Sequence, residues 1–307
     1  MQEIASAAPA EGTLRPRQKR IDARGGAESG GGPAQRAGWL ADCHVHLHDS
    51  FDPAEFLDAA SDNFQKFSGP PQKTGGEIGT LLLAEPRRQQ GFARLLEGCG
   101  SGWAVQPTAE RFSLLAKKGA TVLAIIAGRQ VVTRERLEVL LLGSDADLPD
   151  GEPVERTLEM AAATGGVAVL PWGVGKWAFG RGRVVERLLS RTSAGPFCVG
   201  DNGNRPTILG TPPLLRRARE LGKIVLPGSD PLPLPGHVRR AGKCGVFLEC
   251  LPDLERPARQ MVSLLRGLES QPPIFWQAEP LLQFAVSQVL IRIPRKSGPR
   301  RPEGAQG

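Results

Sequence analysis

The segment WLADCHVHLHDSFDPAEF, residues 39–56, indicates the fold because it joins a buried strand directly to the start of a helix. Its first half is mostly apolar, as expected for a strand that is covered on both faces. Its second half has Asp52 as an N-cap, Pro53 at the first helical position and Glu55 as the acidic residue of a capping box. The segment therefore predicts a strand followed by a helix.

The same alternation of strand and helix continues along the chain. Short apolar runs predict further strands at 77–84, 102–106, 120–127, 137–143, 166–172, 196–200, 223–228 and 245–250. Amphipathic stretches predict helices at 87–97, 108–118, 153–164, 180–191, 211–222 and 254–268. Repeated strand and helix units are typical of a parallel α/β fold. We predict a single-domain α/β structure, a distorted (βα)7/8 TIM-like barrel, with an open sheet as the alternative.

The positive charge of the protein is concentrated at its two ends. The 307 residues include 39 basic and 32 acidic side chains, a formal charge of +7. Residues 1–38 carry +2 and residues 291–307 carry +4, which leaves +1 for residues 39–290. Both ends are poor in large apolar residues, a composition typical of disorder. We predict two disordered tails around a barrel domain at 39–290 and no specific nucleic-acid partner, with electrostatic binding of nucleic acid by the tails as the alternative.

Targeting signals and cysteine usage indicate the compartment. The first residues lack the basic start and apolar run of a secretory signal, and no apolar stretch reaches the roughly 18–20 residues of a membrane span. The five cysteines are scattered and include no C-x-x-C pair, which fits reduced thiols. We expect a cytoplasmic protein without a membrane partner. The oligomeric state is left open by the sequence.

Histidines cluster where the first strand ends. Three of the four in the chain, His44, His46 and His48, fall within five positions. Side chains two apart on a strand project to the same side, so His44 and His46 are placed to bind one metal ion. The alternative is a hydrogen-bonded pair without a metal.

A carboxylate stands at the tip of a later strand. The run KIVLPGSD ends at Asp230, which is a candidate metal ligand or a base toward water that a metal has acidified. The alternative is that Asp230 caps the Pro-rich turn that follows it.

Further candidate ligands follow other strands. They are His237, Glu85 and Asp201, for which helix capping or a surface position is the alternative. Asp42 lies on the same strand face as His44 and is a candidate to orient an imidazole ring.

A Gly-rich loop after the strand at 166–172 offers contacts to an anionic substrate. The loop PWGVGKWAFGRGR, residues 171–183, contains Lys176 and Arg181 together with two tryptophans. Its spacing is not that of a P-loop. Arg129 is a further candidate contact, since guanidinium and ammonium groups bind phosphate and carboxylate. We expect a small anionic substrate.

The run DCHVHLHDSFDP, residues 42–53, resembles the opening motif of the polymerase and histidinol phosphatase (PHP) family of metal-dependent phosphoesterases. Later segments are similar to that family in their order, from GRQVVT at 128–133 to LRRARELGKIVLPGSD at 215–230. The resemblance implies a distorted seven-stranded α/β barrel, a metal cluster at its C-terminal face and hydrolysis of phosphate esters.

The chain departs from that family pattern at three places. Gln130 stands where the family has a bridging glutamate, and Leu170-Pro171-Trp172 where it has Ala-His-Pro. The histidine that the family has shortly after its Ser-Asp pair comes later here, at His237. These departures imply one or two divalent ions (Zn²⁺, Mn²⁺ or Fe²⁺) rather than three. We predict a metal-dependent hydrolase, with a catalytically degenerate binding or regulatory module as the alternative.

Overall fold

The protein alternates strands with helices throughout the part of the chain that can be described. A computed structural model describes residues 20–21, 37–68, 77–191, 196–203, 205–206, 210–277 and 279–292. The strands are β1 (Arg20–Ile21), β2 (Gly38–Val45), β3 (Glu77–Leu83), β4 (Glu85–Pro86), β5 (Ala104–Pro107), β6 (Ser113–Lys118), β7 (Thr121–Ile126), β8 (Gly128–Val132), β9 (Glu138–Leu142), β10 (Val167–Trp172), β11 (Cys198–Asn202), β12 (Val225–Gly228), β13 (Cys244–Glu249) and β14 (Ile274–Trp276). The α-helices are α1 (Pro53–Ser68), α2 (Gly91–Glu97), α3 (Val154–Ala163), α4 (Gly180–Ser190), α5 (Pro213–Glu220), α6 (Pro257–Arg266) and α7 (Leu281–Leu290). The disorder predicted for most of residues 1–38 and 291–307 lies outside the described residues.

The strands form two sheets. The first has eight strands in the order β1-β14-β13-β2-β3-β7-β6-β5, and the second has six in the order β12-β11-β10-β9-β8-β4. Parallel pairs such as β2 with β3 stand beside antiparallel pairs such as β2 with β13. The structure is therefore a mixed α/β fold, whereas regular strand and helix alternation predicted parallel strands throughout.

The predicted TIM-like barrel is not confirmed, because neither sheet closes on itself within the described ranges. The antiparallel strand β13 pairs with Gly38–Ala41 of β2 and takes up the edge that a closing strand would need. The edge strand β12 comes close to β2 near the C-terminal ends of the two strands. There the Asp230 N–H donates a hydrogen bond of 2.8 Å to the His44 carbonyl oxygen. A backbone hydrogen bond, instead of a strand ladder, thus joins the two sheets at this edge.

The first predicted strand and helix are confirmed. Every residue of β2 is buried, as expected for a strand that is covered on both faces. Helix α1 begins at Pro53, and Asp52 caps it by accepting a 2.8 Å hydrogen bond from the Glu55 N–H. The predicted capping box is wrong in one respect, because the Glu55 carboxylate accepts a hydrogen bond from Arg239 at 2.9 Å instead of turning back to the helix start.

Three apolar clusters pack the sheets and helices together. One lies between the first sheet and α1 and α2, and includes Phe56 and Leu81. A second combines both sheets with α6, and includes Trp39 and Leu140. A third lies between the second sheet and α3, α4 and α5, and includes Leu158. Burial of these side chains is the main favourable contribution to folding.

The helix predicted at 108–118 is wrong, because Ser113–Lys118 forms β6. This strand pairs antiparallel with both β5 and β7. Four successive buried residues, 113–116, begin it, and such a run suits a helix as well as a strand that is covered on both faces. Gly119, with a φ of +58°, forms the turn to β7. Strand β8, strand β14 and helix α7 were not predicted.

All five cysteines are free, in agreement with the prediction of reduced thiols. Within the described ranges, no helix combines the length and the apolar character that crossing a bilayer requires.

The contact between β12 and β2 leaves no space for a side chain at Gly228. A Cβ atom added at Gly228 would lie 2.3 Å from both the Cβ and the backbone nitrogen of His44. We expect Gly228→Ala to lower the free energy of unfolding by about 1–3 kcal/mol, the usual cost of overpacking, as measured by urea denaturation. Gly180→Ala is the control, because nothing lies within 4 Å of its added Cβ. Equal denaturation midpoints for the two variants would contradict this account of the contact.

Candidate metal centre

The histidine pair lies where the register of β2 changes. The pairing of β2 with β3 shifts between Asp42 and Val45, as at a β-bulge, which re-aims side chains. Cys43 therefore packs in the cluster shared by the two sheets, whereas Val45 packs in the cluster on the α1 side. His44 and His46 follow this irregularity, and their imidazole rings stand 4.9 Å apart, edge to face.

Asp42 fixes the backbone around the pair. Its carboxylate accepts hydrogen bonds from the N–H groups of Ser229 and Gly242, both at 2.8 Å, and of His44 at 3.4 Å. Burial raises the pKa of Asp42 to about 7, although these hydrogen bonds lower it in part. The prediction that Asp42 orients an imidazole is therefore wrong in detail, because Asp42 orients the backbone of β2 and of the segment after β12.

Asp230 reaches the histidines through an unusual backbone conformation. Its φ is +42°, a left-handed value that Asp and Asn adopt more readily than most residues. The Asp230 N–H is bound to the His44 carbonyl oxygen, so the side chain is held beside the end of β2. The alternative in which Asp230 caps the following turn does not describe these contacts.

The two imidazoles and the Asp230 carboxylate converge. Among the described residues, His44, His46 and Asp230 form the one group of three whose His, Cys, Asp or Glu atoms lie close enough to hold an ion. The two Nε2 atoms are 3.0 Å apart, and they lie 3.6 and 3.4 Å from Asp230 Oδ1. Ligands about 2.0–2.1 Å from a tetrahedral ion stand roughly 3.3–3.4 Å from one another. The triangle of atoms therefore fits a divalent ion.

The charges of the group also suit metal binding. Burial, assisted by the charges of His46 and Lys176, lowers the pKa of His44 to about 3, although Asp230 opposes this. Burial by itself raises the pKa of Asp230, but Lys176 and the two imidazoles outweigh it and hold that pKa well below its usual value. His44 is thus neutral and Asp230 ionised at pH 7, which are the protonation states that metal ligands need.

Unpaired polar atoms surround the group. The buried atoms Nδ1 of His46, Oε1 of Gln130 and Oδ1 of Asn202 have no hydrogen-bond partner, although buried polar atoms are nearly always paired. Gln130 lies beside His44, and Asn202 donates a 2.8 Å hydrogen bond to Asp230 Oδ2. Such a concentration of unpaired polar atoms around three convergent ligand atoms supports a polar occupant.

His48 is a neighbour of the group and not a member of it. Its Nε2–H donates to the carbonyl oxygen of Pro231 at 2.7 Å, and its Nδ1 accepts from Gln89 at 2.8 Å. Its ring stacks on that of His46, with 5.5 Å between ring centres. Burial lowers the pKa of His48 to about 4. His48 therefore holds the residue after Asp230 in place.

His237 does not join the group, contrary to prediction. Its Nδ1 accepts a 3.0 Å hydrogen bond from the Leu232 N–H, so its Nε2 carries the proton and donates to Ser287 Oγ at 3.0 Å. Both ring nitrogens are engaged, which leaves neither for a metal. The same tautomer prevents His237 from acting as a base toward Ser287.

The two further carboxylates that were predicted as ligands have other partners. Glu85 Oε1 accepts a 2.7 Å hydrogen bond from the Phe92 N–H in the first turn of α2. Asp201 binds Arg205 with both oxygens, at 3.1 and 2.7 Å. The helix-capping alternative describes Glu85, whereas Asp201 is buried in an ion pair that neither alternative anticipated.

Of the three predicted substrate contacts, Lys176 lies at the group. Its Nζ is 3.8 Å from Asp230 Oδ2 and 2.5 Å from Glu138 Oε2. Burial lowers the pKa of Lys176, but Asp230 and Glu138 outweigh it and raise that pKa. Arg181 donates to the carbonyl oxygen of Gly175. Arg129 is the register partner of Glu85 in β4.

A cavity of about 150 Å³ opens beside Asp230. Cationic, amide and apolar side chains contribute to its wall, and the described lining residues are Val174, Lys176, Asn202, Asp230, Leu232, Gln288, Ile291 and Arg292. Asn202 and Glu138 were not predicted, because neither belongs to a sequence motif that indicates metal or substrate binding. The end of α7 was missed because that helix was not predicted.

The fold is similar to that of solved structures, among them PsfC. PsfC from Pseudomonas syringae PB-5123 superimposes with a TM-score of 0.52 and 18% sequence identity, over 84% of this chain and 98% of that chain. At this level of identity the similarity supports the mixed α/β fold alone.

More distant structures and sequence comparisons add no argument about activity. The lesion-specific endonuclease PfuEndoQ from Pyrococcus furiosus gives a TM-score of 0.44 at 13% identity, over 81% of this chain and 65% of that chain. An Endonuclease Q complex with a 27-mer duplex that has an abasic lesion at the active site gives 0.42 at 12% identity, over 73% and 56%. No model of a protein family and no curated protein matches the chain.

Metal binding should distinguish His44 and His46, at the candidate centre, from His237, whose ring nitrogens have other partners. We expect the His44→Ala/His46→Ala double variant to lose more than about 100-fold in affinity for Zn²⁺, since even residues that only support a ligand cost 10–100-fold. Isothermal titration calorimetry and elemental analysis measure this. His237→Asn is the control and is expected to retain the metal content of the wild type. Equal metal content in the wild type and the double variant would contradict the site.

Proposed function

We propose that this protein is a metal-dependent hydrolase that acts on a phosphorylated or otherwise anionic small molecule. The convergence of His44 Nε2, His46 Nε2 and Asp230 Oδ1 within 3.0–3.6 Å of one another is the observation that carries the proposal. The mixed α/β fold is compatible with it. We interpret the two sheets as a PHP-like barrel that is opened beside β12.

The residues divide into those that hold the ion and those that receive the substrate. His44, His46 and Asp230 would hold Zn²⁺, Mn²⁺ or Fe²⁺, ions that imidazole and carboxylate ligands accept. Such an ion polarises an ester oxygen and acidifies water. Asp42 and His48 fix the backbone on either side of the ligands.

The substrate would enter the cavity beside Asp230. Lys176 and Arg292 at its wall offer positive charge, and Asn202 Oδ1 offers an unpaired acceptor. Val174, Leu232 and Ile291 contribute apolar wall. The cavity, of about 150 Å³, would receive the anionic group of the substrate.

A binding or regulatory module without catalysis is the second candidate. Leu170 and Pro171 are buried, and Leu170 packs in the cluster beneath α3, α4 and α5, so no ligand comes from the end of β10. Gln130 brings a neutral amide to His44, where the family resemblance implies a carboxylate. The same pocket would then bind an anion and leave it unchanged.

Turnover of model esters tests the proposal. We expect protein that is loaded with Mn²⁺, Zn²⁺ or Fe²⁺ to hydrolyse p-nitrophenyl phosphate or bis(p-nitrophenyl) phosphate, and Asp230→Asn to lower kcat/KM by at least about 100-fold, in line with the loss of one charged active-site contact. Glu249→Gln is the matched control, because this exposed carboxylate ends β13 and is not in the group.

The outcomes separate the candidates. Binding of inorganic phosphate without turnover of either ester would favour the binding module. Turnover that survives Asp230→Asn unchanged would contradict the assigned site. Cleavage of a duplex with an abasic lesion, in the absence of any activity toward small esters, would contradict the small-molecule substrate.

A further inference from the structure

The two oxygens of the Asp230 carboxylate face different groups. Its Oδ1 atom lies 3.6 and 3.4 Å from the imidazole nitrogens of His44 and His46. Its Oδ2 atom lies 3.8 Å from Lys176 Nζ. Oδ1 thus faces the two imidazoles, whereas Oδ2 faces the Lys176 ammonium and the Asn202 amide.

A second carboxylate faces the same ammonium. Glu138, the first residue of β9, binds Lys176 Nζ through Oε2 at 2.5 Å. Lys176 Nζ is therefore flanked by oxygen atoms from Glu138, in β9, and Asp230, in the segment after β12. Carboxylate oxygens from separate elements are also the ligands that a divalent ion takes.

The loop is shaped to hold the lysine there. The Lys176 N–H donates to the Gly173 carbonyl oxygen at 2.9 Å and forms a turn. A Cβ atom at position 173 would lie 2.7 Å from Lys176 Cδ and 3.0 Å from Asn202 Nδ2. A glycine at this position allows the lysine chain to lie back against the loop with its ammonium over Asp230.

We propose that the Lys176 ammonium occupies the position of a second divalent cation and restricts the centre to one ion. This inference rests on the metal site of the proposed function and extends it to the number of ions. A divalent ion bound to Glu138 and Asp230 Oδ2 would lie at the position of the Lys176 ammonium, and like charges repel. The ammonium therefore excludes a second ion while it is present. Its removal leaves the Glu138 carboxylate and Asp230 Oδ2 as oxygen ligands.

Metal stoichiometry in designed variants tests the inference. We expect wild-type protein to bind one equivalent of Mn²⁺ by calorimetry and elemental analysis, and Lys176→Ala to bind two. Ions in two-metal sites lie about 3.5–4 Å apart, so the electron paramagnetic resonance spectrum of Lys176→Ala should show an exchange-coupled pair, and that of the wild type an isolated ion.

Two control variants test why Lys176→Ala is expected to bind a second ion. Lys176→Arg keeps the positive charge and is expected to bind one equivalent. Lys176→Ala/Glu138→Gln lacks the second carboxylate and is expected to return to one equivalent. Lys176→Ser replaces Lys176→Ala if circular dichroism shows that the alanine variant does not fold.

The possible failures are distinct. Two equivalents in the wild type, or one in folded Lys176→Ala and Lys176→Ser, would overturn the inference while the metal-dependent function stands. Retention of two equivalents after Glu138→Gln in the alanine background would overturn the assigned second position. No Mn²⁺ or Zn²⁺ binding by the wild type would overturn the metal site itself, and with it both proposals.

Discussion

The buried carboxylate of Asp42 is the constraint on which the centre depends. A carboxylate away from water is stable only where donors surround it, and here the donors are backbone N–H groups from β2, from Ser229 and from Gly242. These contacts hold three distant parts of the chain together. Asp230 follows Ser229 directly, so its position beside His44 is a consequence of that arrangement. The ligands converge because the backbone beneath them is fixed.

The charged groups at the centre leave one uncompensated negative charge within a small volume. Neutral His44 lies on one side of an ionised Asp230, while Lys176 and Glu138 form an ion pair on the other. Asn202 adds a neutral donor to the same carboxylate. Each group limits the protonation state of its neighbour, so the site is prepared for a cation before one binds.

Local pattern was sufficient to predict part of this structure. His44, His46 and Asp230 could be predicted because each stands where an apolar strand ends, a feature visible in short windows of sequence. The roles of Glu138 and Asn202 could not, since they arise from contacts between residues far apart in the chain. The pairing of β13 with β2, which leaves the sheets open, could not be predicted for the same reason. Strand β6 was misread because a run of buried residues has no period of its own.

Part of the cavity wall comes from a segment that contains none of the three candidate metal ligands. Gln288, Ile291 and Arg292, at or just past the end of α7, contribute to the cavity, whereas the ligands come from the ends of β2 and β12. Most of α7 is exposed, and Ser287 is its buried residue. Substitutions on this helix can thus reshape the cavity without touching the ligands. If the proposed function holds, the shape of the cavity and the binding of the ion can be altered independently of each other, by design or by natural variation.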